Sequence, residues 1–316
     1  MWRVELISRL MRELKPLEFS TVIFYLGLSI TDIVFASKVE FWYLLIVVNI
    51  LICSSVAWIG HYGNTHSSNL SRILRYTYPM PLIFITFKEI YLMVKPIRGA
   101  DFDWLLINID KFLFGVNPTQ VLYKISNPVL TELLQIDYAL FYVIPITLII
   151  SLFMQQKFEE ADYSVFSVVF GFYLSYIGYF ALPAIGPRFT LHDFSQTNVE
   201  LPGLFVTNFL RELINSGESI PQGTINPAAI VQRDVFPSGH TMMTLIVMYL
   251  SVHYKDRTRY FLLPIGALLI FATVYLRYHY VIDLIAGSLC MILSLWLGKK
   301  VYGYIVGRHE RIASSQ

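Results

Sequence analysis

The sequence HYVIDLIAGSLCMILSLWLG occupies residues 279–298 and shows most directly how this chain is built. Beyond its first five residues it is mostly apolar, and a helix needs about 20 such residues to cross the hydrocarbon core of a membrane. Two ionisable residues, His279 and Asp283, stand at its beginning. The stretch therefore predicts a membrane-spanning helix with polar chemistry at one end.

The composition of the whole chain agrees with a membrane protein. Of its 316 residues, 55% are hydrophobic and 15% are charged, whereas about a quarter of the residues of a soluble domain are charged. The net charge of +2 is too small to indicate a nucleic-acid partner. We predict an all-α, polytopic membrane helix bundle with about eight transmembrane helices, seven being the alternative count. The predicted spans are residues 19–36, 41–59, 78–95, 132–154, 163–183, 238–253, 261–277 and 279–298.

The segments between the predicted spans differ in character. Residues 101–127 contain DKFLFGVNP, and their helical apolar spacing predicts a helix lying in the membrane interface. Residues 184–237 are predicted to form one long polar loop. The expected organisation is N-terminal spans over 1–100, an interfacial segment over 101–130, a catalytic core over 131–306 and a cytoplasmic tail over 307–316. Cys53 and Cys290 lie in apolar runs, which predicts small buried side chains and no disulfide framework.

The N-terminal segment is predicted to remain as a membrane anchor. Its first apolar run follows a basic stretch, and no small-residue cleavage site of a signal peptide comes after that run. The basic residues of this stretch are Arg3, Arg9, Arg12 and Lys15.

The positions of the basic residues predict the orientation in the membrane. Cytoplasmic loops are enriched in Lys and Arg, and three short basic segments agree with one assignment: the pair Arg72 and Arg75, residues 255–259, and the pair Lys299 and Lys300. Both ends of the chain are then cytoplasmic and residues 184–237 lie outside. A few basic residues of a longer connection oppose this assignment, namely Lys95, Arg98, Lys111 and Lys124.

His279 and Asp283 are the first candidate catalytic pair. Residues four apart share one face of a helix, so the two side chains can meet there. A carboxylate on one imidazole nitrogen leaves the other free to act as a nucleophile. The plain alternative is a structural histidine beside a helix-capping aspartate. Ionisable residues at a membrane are costly, however, and therefore indicate function.

A second candidate element is FPSGHT, residues 236–241. Ser238, Gly239 and His240 are predicted to open a helix, where free amide groups and the helix dipole favour an anion. An ordinary helix cap by Ser238 is the alternative. His240 suits proton transfer beside such an anion.

Arg188 and Arg277 complete the set, because guanidinium groups bind phosphate oxygens through two hydrogen bonds. Either arginine alone would more commonly be an anchor at the lipid headgroups. Together the residues predict phosphoryl transfer through a phosphohistidine. His279 attacks phosphorus, Asp283 orients it and His240 protonates the leaving alcohol, while Arg188, Arg277, Ser238 and Gly239 bind the phosphate. We expect neither a metal ion nor a cofactor.

At these residues the sequence resembles the type 2 phosphatidic acid phosphatase superfamily, also called lipid phosphate phosphatases. The second motif of that family is PSGH, residues 237–240 here, and its third ends in H-x-x-x-D, His279 to Asp283 here. The resemblance covers roughly residues 130–300 and implies an integral membrane enzyme with a six-helix catalytic core, cleaving a lipid phosphoester or diphosphate.

Two motifs depart from the family pattern. Ala181 stands where the first motif has a lysine, and Ala272 and Thr273 stand where the third motif has Ser-Arg. The variant GPR at residues 186–188 and the LFGVNP element are closer to the inositol phosphorylceramide synthase-like branch. That resemblance implies the alternative of moving a phosphorylated headgroup to an acceptor lipid or alcohol.

Hydrolysis is the favoured activity because PSGH is intact. The competing class is a non-enzymatic transporter or membrane scaffold, for which Lys88 and Glu89 in the third predicted span are the main sign. The compact loops favour a bacterial inner membrane with the site facing the periplasm, although a lumenal site would share this topology. The expected partners are the membrane, a lipid phosphate and, for transfer, an acceptor lipid or alcohol. The lipid part of the substrate is not predicted.

Overall fold

The structure is a computed structural model that describes residues 14–66 and 68–313, and within these ranges all regular structure is helical. The predicted all-α class is confirmed. The basic residues Arg3, Arg9 and Arg12 of the predicted N-terminal anchor lie outside the described residues. In chain order the α-helices are α1 Pro16–Val34, α2 Trp42–Thr65, α3 Asn69–Thr77, α4 Pro79–Arg98, α5 Asp103–Phe114, α6 Pro118–Leu122, α7 Pro128–Ala139, α8 Val143–Met154, α9 Phe158–Ala181, α10 Pro187–Thr190, α11 Thr197–Glu200, α12 Thr207–Gly217, α13 Pro227–Ile230, α14 Gly239–His253, α15 Arg259–Tyr275 and α16 Val281–Ala313.

Five helical stretches in the described part of the chain are long and apolar enough to cross a membrane, so the protein is a multi-pass membrane protein. They coincide with five of the predicted spans. The other three predicted spans are also helical, but α4 carries Lys88 and Glu89, and α14 and α15 have only 15 and 17 residues. The total of seven or eight spans therefore stays a prediction. The five stretches are Pro16–Val34, Trp42–Thr65, Pro128–Met154, Phe158–Ala181 and Val281–His309.

Helix α16 is longer than its predicted span, which ended at residue 298. It continues without a break to Ala313 and has 33 residues. Lys299 and Lys300 end the apolar run but not the helix, because lysine is a good helix former. The predicted domain boundaries, including the tail from residue 307, remain predictions.

One compact unit comprises the described residues up to Ile97, residues Asp162–Tyr173 and the described residues from Leu293 onward. Within it α1 packs against α2. Glu89, which is 4% exposed, accepts a hydrogen bond of 2.8 Å from the Asn49 amide. Because the Glu89 carboxylate has this buried hydrogen-bond partner, its position inside a helix bundle has a structural explanation.

The second compact unit comprises Arg98–Ala161 and Leu174–Ile292, and it contains every residue predicted for the site. Helix α14 packs against α8 and α15, and α15 packs against α7. A buried apolar cluster joins α7 to the end of α15 and includes Tyr138 and Tyr278, whose rings stack at 4.3 Å. This cluster supports Tyr278, the residue that precedes His279.

Residues 184–237 do not form the irregular loop that was predicted. They contain the four helices α10 to α13 and one 3-10 turn, Phe194–Gln196. The prediction was wrong because these helices are too short to show a hydrophobic period. The polar residues of the segment also make contacts within the unit. Glu132 of α7, for example, accepts hydrogen bonds from the amides of Leu204, Val206 and Thr207 at the start of α12.

Helix α5 lies in the segment that was predicted to be interfacial. It buries Asp103, Leu106 and Asp110 and exposes the large side chains of Trp104 and Phe112. Its apolar side chains are therefore largely directed outward and its carboxylates inward. Such an outward apolar face agrees with contact to lipid, while the interfacial position itself stays a prediction.

Candidate active site

Main-chain hydrogen bonds join the three sequence segments that were predicted to form the site. The amide of Arg188 donates to the carbonyl of Arg277 at 3.1 Å. The amide of Ser238 donates to the carbonyl of Asp283 at 3.0 Å. The predicted meeting of these segments is thus found in the structure, although their catalytic roles remain predictions.

His279 lies in the turn between α15 and α16, where its amide donates to the carbonyl of Thr273 at 3.0 Å. The prediction that His279 and Asp283 share a helix face is wrong, because α16 begins only at Val281. The two side chains nevertheless meet: His279 Nδ1 is 3.4 Å from Asp283 Oδ2. That oxygen also accepts a hydrogen bond of 2.7 Å from the amide of Tyr280. Asp283 therefore both caps the helix and faces the histidine.

His240 stands in the first turn of α14, and its ring meets that of His279. His279 Nε2 is 3.5 Å from His240 Nδ1, so the two nitrogens of His279 face different partners. On its other sides His240 packs against the rings of Tyr138 and Phe141, at centroid distances of 4.7 and 4.3 Å. The aromatic rings restrict the orientation of His240.

The environment of His279 keeps its imidazole neutral. The residue precedes the spanning helix α16, and burial lowers the pKa of its imidazole to about 4, although the nearby Asp234 carboxylate acts in the opposite direction. At neutral pH the ring therefore carries a lone pair on one nitrogen. A nucleophile needs that form.

Ser238 is the N-cap of α14, and its hydroxyl accepts a hydrogen bond of 3.2 Å from the amide of Thr241. The predicted helix start is therefore confirmed. The amide of Ser238, however, is not free for a phosphate, because it already binds the Asp283 carbonyl. Ser238 and Gly239 were both predicted to bind the phosphate through their backbone amides. Only the amide of Gly239 remains a candidate donor to an anion.

Arg188 is 6% exposed and lies in a short loop and helix after α9. Its guanidinium pairs with the Glu218 carboxylate, donates to Asn215 Oδ1 at 3.1 Å and lies 4.8 Å above the ring of Tyr278. In the same loop Gly186 has a φ of +93°, and a Cβ there would come within 2.9 Å of the Tyr278 carbonyl oxygen. Glycine is thus required where this loop approaches the His279 turn.

Arg277 is more deeply buried, with 1% of its surface exposed. Its Nη1 pairs with the carboxylate of Glu200, and its guanidinium lies 5.3 Å from the ring of Tyr123. Its Nε and Nη2 have no hydrogen-bond partner in the described part of the chain. The backbone at Arg277 has a φ of +68°, which non-glycine residues rarely adopt and which often marks a functional position. Two donors of this buried cation are therefore available for an anion.

A cavity of about 190 Å³ borders Arg188 and Tyr278. Most of the residues that line it are of polar type, and they include a second buried arginine, Arg211, whose guanidinium donates to Asn198 at 2.9 Å and to the Leu201 carbonyl at 2.7 Å. Besides these residues, the cavity is lined by Phe194, Ser195, Thr197, Asn208, Glu212, Asn215 and Leu276.

Several residues of the site were not predicted from the sequence. Glu200 and Glu218, which pair with the arginines, lie in the segment taken for a loop. Asp103 and Asp110 bind the segments that carry Arg188 and His279. Their spacing of seven residues, two helical turns, is a signal that could have indicated two carboxylates on one face of a helix.

The chain belongs to the PAP2 superfamily, since the family model matches residues 104–297, more than half of its length. No curated protein and no solved structure was found to match it. Membership supports an enzyme rather than a transporter or scaffold. It does not distinguish the inositol phosphorylceramide synthase-like branch, which stays a prediction.

Proposed function

We propose that this protein is an integral membrane lipid phosphatase or phosphotransferase that forms a phosphohistidine at His279, on the non-cytoplasmic face of the membrane. The observation that carries the proposal is the position of the His279 ring between two partners. Nδ1 faces Asp283 at 3.4 Å and Nε2 faces His240 at 3.5 Å. One partner can fix the tautomer while the other exchanges protons with the substrate.

In the first half of the reaction His279 Nε2 attacks the phosphorus of the lipid phosphate. The bond from phosphorus to the leaving oxygen breaks, and that oxygen takes a proton from the His240 imidazolium, which becomes neutral. In the second half His240 removes a proton from water or an alcohol, whose oxygen attacks the phosphohistidine and releases His279. A gap of 3.5 Å between the two nitrogens leaves no room for a phosphoryl group. Binding of the phosphoryl group therefore has to displace His240 from its packing against Tyr138 and Phe141.

The two arginines supply the positive charge that the phosphoryl group needs. Arg277 has two buried donors without partners, and Arg188 lies beside the cavity. Both are paired with glutamates in this structure, so phosphate oxygens replace these carboxylates or bind next to them. Charge stabilisation by fixed donors of this kind is a large part of phosphoryl-transfer catalysis.

The test is release of phosphate from a panel of lipid phosphates by the purified protein in detergent. We expect His279→Ala to abolish turnover and the acid-labile phosphoenzyme. His253→Ala, at the exposed end of α14, is the matched control and should retain wild-type activity. Wild-type turnover in His279→Ala would show that the proposed nucleophile is wrong.

Headgroup transfer is the second candidate, and the polar side chains that line the cavity beside Arg188 favour it. A cavity with three asparagines and two arginines suits a polar headgroup, which a simple phosphomonoester lacks. The same assay with alcohol or lipid acceptors decides between the two activities. Product that contains the acceptor and rises with its concentration indicates transfer, whereas unchanged phosphate release indicates hydrolysis.

A further inference from the structure

Two carboxylates of helix α5 bind the segments that carry the predicted motifs. Neither carboxylate belongs to a motif itself. Asp103 and Asp110 lie two turns apart on α5, and their residues are 5% and 2% exposed. Both therefore face the interior of the unit on the same side of the helix. Neither has an arginine or lysine partner in any ion pair found among residues 14–66 and 68–313.

Asp103 binds the loop that precedes Arg188. Its carboxylate accepts hydrogen bonds from the amide of Gly186 at 2.8 Å and from the amide of Ile185 at 3.0 Å. Its Oδ1 also lies 2.8 Å from the hydroxyl of Tyr280, the residue after His279. One carboxylate thus contacts both the arginine loop and the histidine turn.

Asp110 binds the other side of the histidine turn. Its two oxygens accept one hydrogen bond each, at 2.8 Å, from the amides of Val281 and Ile282. These are the first amides of α16, which have no partner inside the helix. Asp110 therefore fixes the start of α16 between His279 and Asp283.

We propose that Asp103 and Asp110 are positioning residues for phosphoryl transfer, Asp103 setting the place of Arg188 and Asp110 that of His279. This inference rests on the proposed function. The two carboxylates act through backbone amides and do not touch the substrate. Buried charge-assisted hydrogen bonds to amides are stronger than neutral ones, so they restrict movement of both segments.

The first test compares Asp110→Asn and Asp103→Asn with Asn108→Ala, a control on the exposed side of the same helix. Asparagine keeps one acceptor oxygen but replaces the other with an NH₂ group, which cannot accept a hydrogen bond from the backbone amide. For Asp110→Asn we expect the single-turnover rate constant of phosphoenzyme formation to fall by up to roughly 10²-fold, the cost of a 1 Å misplacement. That constant does not depend on the fraction of folded enzyme. For Asp103→Asn we expect KM to rise, because Arg188 binds phosphate.

Rescue and local exchange complete the experiment. Asp110→Glu restores two acceptor oxygens and should recover part of the rate, whereas Asp110→Leu should not. Hydrogen exchange of the peptide around residues 277–285 should accelerate in Asp110→Asn and stay unchanged in Asn108→Ala. Exchange is measured without substrate, so it reports on the turn even if the activity is of another kind.

The outcomes separate the two proposals. Wild-type protein without turnover or phosphoenzyme overturns the proposed function, and the positioning role with it. Active wild-type protein together with unchanged rates, KM and exchange in both asparagine variants overturns the positioning role alone. Failure of Asp110→Asn to fold, judged by its elution profile and thermal midpoint, also counts against positioning and indicates a purely structural carboxylate.

Discussion

Arg277 combines three unusual properties in one residue: almost complete burial, a left-handed backbone conformation and two unpartnered donors. Its charge is balanced by Glu200, whose side chain is 32% exposed. A carboxylate that is partly exposed to water is displaced from an ion pair more easily than a buried one, because water already solvates part of it. In the proposed mechanism Glu200 therefore occupies Arg277 before phosphate binds and competes with phosphate for it.

Glu200→Gln should therefore lower stability and strengthen phosphate binding at the same time. Without phosphate we expect a loss of about 1.5 kcal/mol, the low end for a hydrogen bond to a charged group, because Glu200 is partly exposed. Added inorganic phosphate should raise the thermal midpoint more in Glu200→Gln than in the wild type. The measurement is a thermal scan in detergent over a phosphate series.

The matched control for this substitution is Glu159→Gln, at an exposed position in the first turn of α9. It changes the same charge without touching an arginine of the site. Equal phosphate-induced shifts in the wild type and in Glu200→Gln would show that Glu200 does not compete with phosphate.

Individual residues differed in how far the sequence could identify them. The motif spacing and the predicted ends of the spans were enough to predict that His240, His279 and Asp283 meet, although His279 lies in the turn before the helix and not on the helix. The partners Glu200 and Glu218 could not be predicted, since each depends on where a short helix of the 184–237 segment folds back. Ion pairs across such distances leave no periodic pattern in the sequence.

At the scale of helices, the start of α14 is held by a close contact with α16. A Cβ at Gly287 would lie 2.6 Å from the carbonyl oxygen of Ser238 and 3.2 Å from Thr241 Cβ. The nearer atom belongs to the backbone and cannot turn aside. Gly287 therefore sets how closely the helix that follows His279 approaches the helix that begins at His240.

Gly287→Ala should separate these two helices and reduce both stability and activity. Overpacking of this kind costs about 1–3 kcal/mol. Gly303→Ala is the control in the same helix: a Cβ there meets nothing within 4 Å, so the variant should gain up to about 1 kcal/mol from helix propensity. Thermal midpoints and turnover of both variants check this. A Gly287→Ala protein as stable and active as Gly303→Ala would contradict the contact.

Long helices were predicted well and short ones were not. Apolar length alone was enough for the five spanning stretches. Helices such as Pro187–Thr190 and Pro227–Ile230 have four residues each, too few to show a hydrophobic period. The end of α16 was also missed, because charged residues stop a hydropathy signal but not a helix.

For the molecule as a whole, the orientation in the membrane stays a prediction from the basic segments. The positive-inside rule places residues 184–237 outside and residues 255–259 in the cytoplasm. Ser195 and Arg257 are exposed residues of these two segments. A cysteine at either position can therefore report its side of the membrane.

We expect Ser195→Cys to react with a membrane-impermeant maleimide in intact cells and Arg257→Cys to react only after permeabilisation. Both substitutions are made with Cys53 and Cys290 changed to serine, since the native thiols are free and half-buried. Gel mobility after labelling is the measurement. The reverse pattern would place the site in the cytoplasm and remove the periplasmic proposal.

Helix α16 has a practical consequence for imaging this protein. Its 33 residues make it about 50 Å long, whereas the hydrocarbon core is about 30 Å thick. The Lys300 ammonium lies 3.6 Å over the ring of Trp296, a pair typical of the membrane boundary. The last turns of α16 still pack on the bundle, since Ile305 is fully buried and the Arg308 guanidinium lies 5.4 Å over the ring of Phe19. A small rigid protein fused in helical register after Ala313 would therefore be held at a fixed angle, and it would serve electron microscopy as an alignment mark.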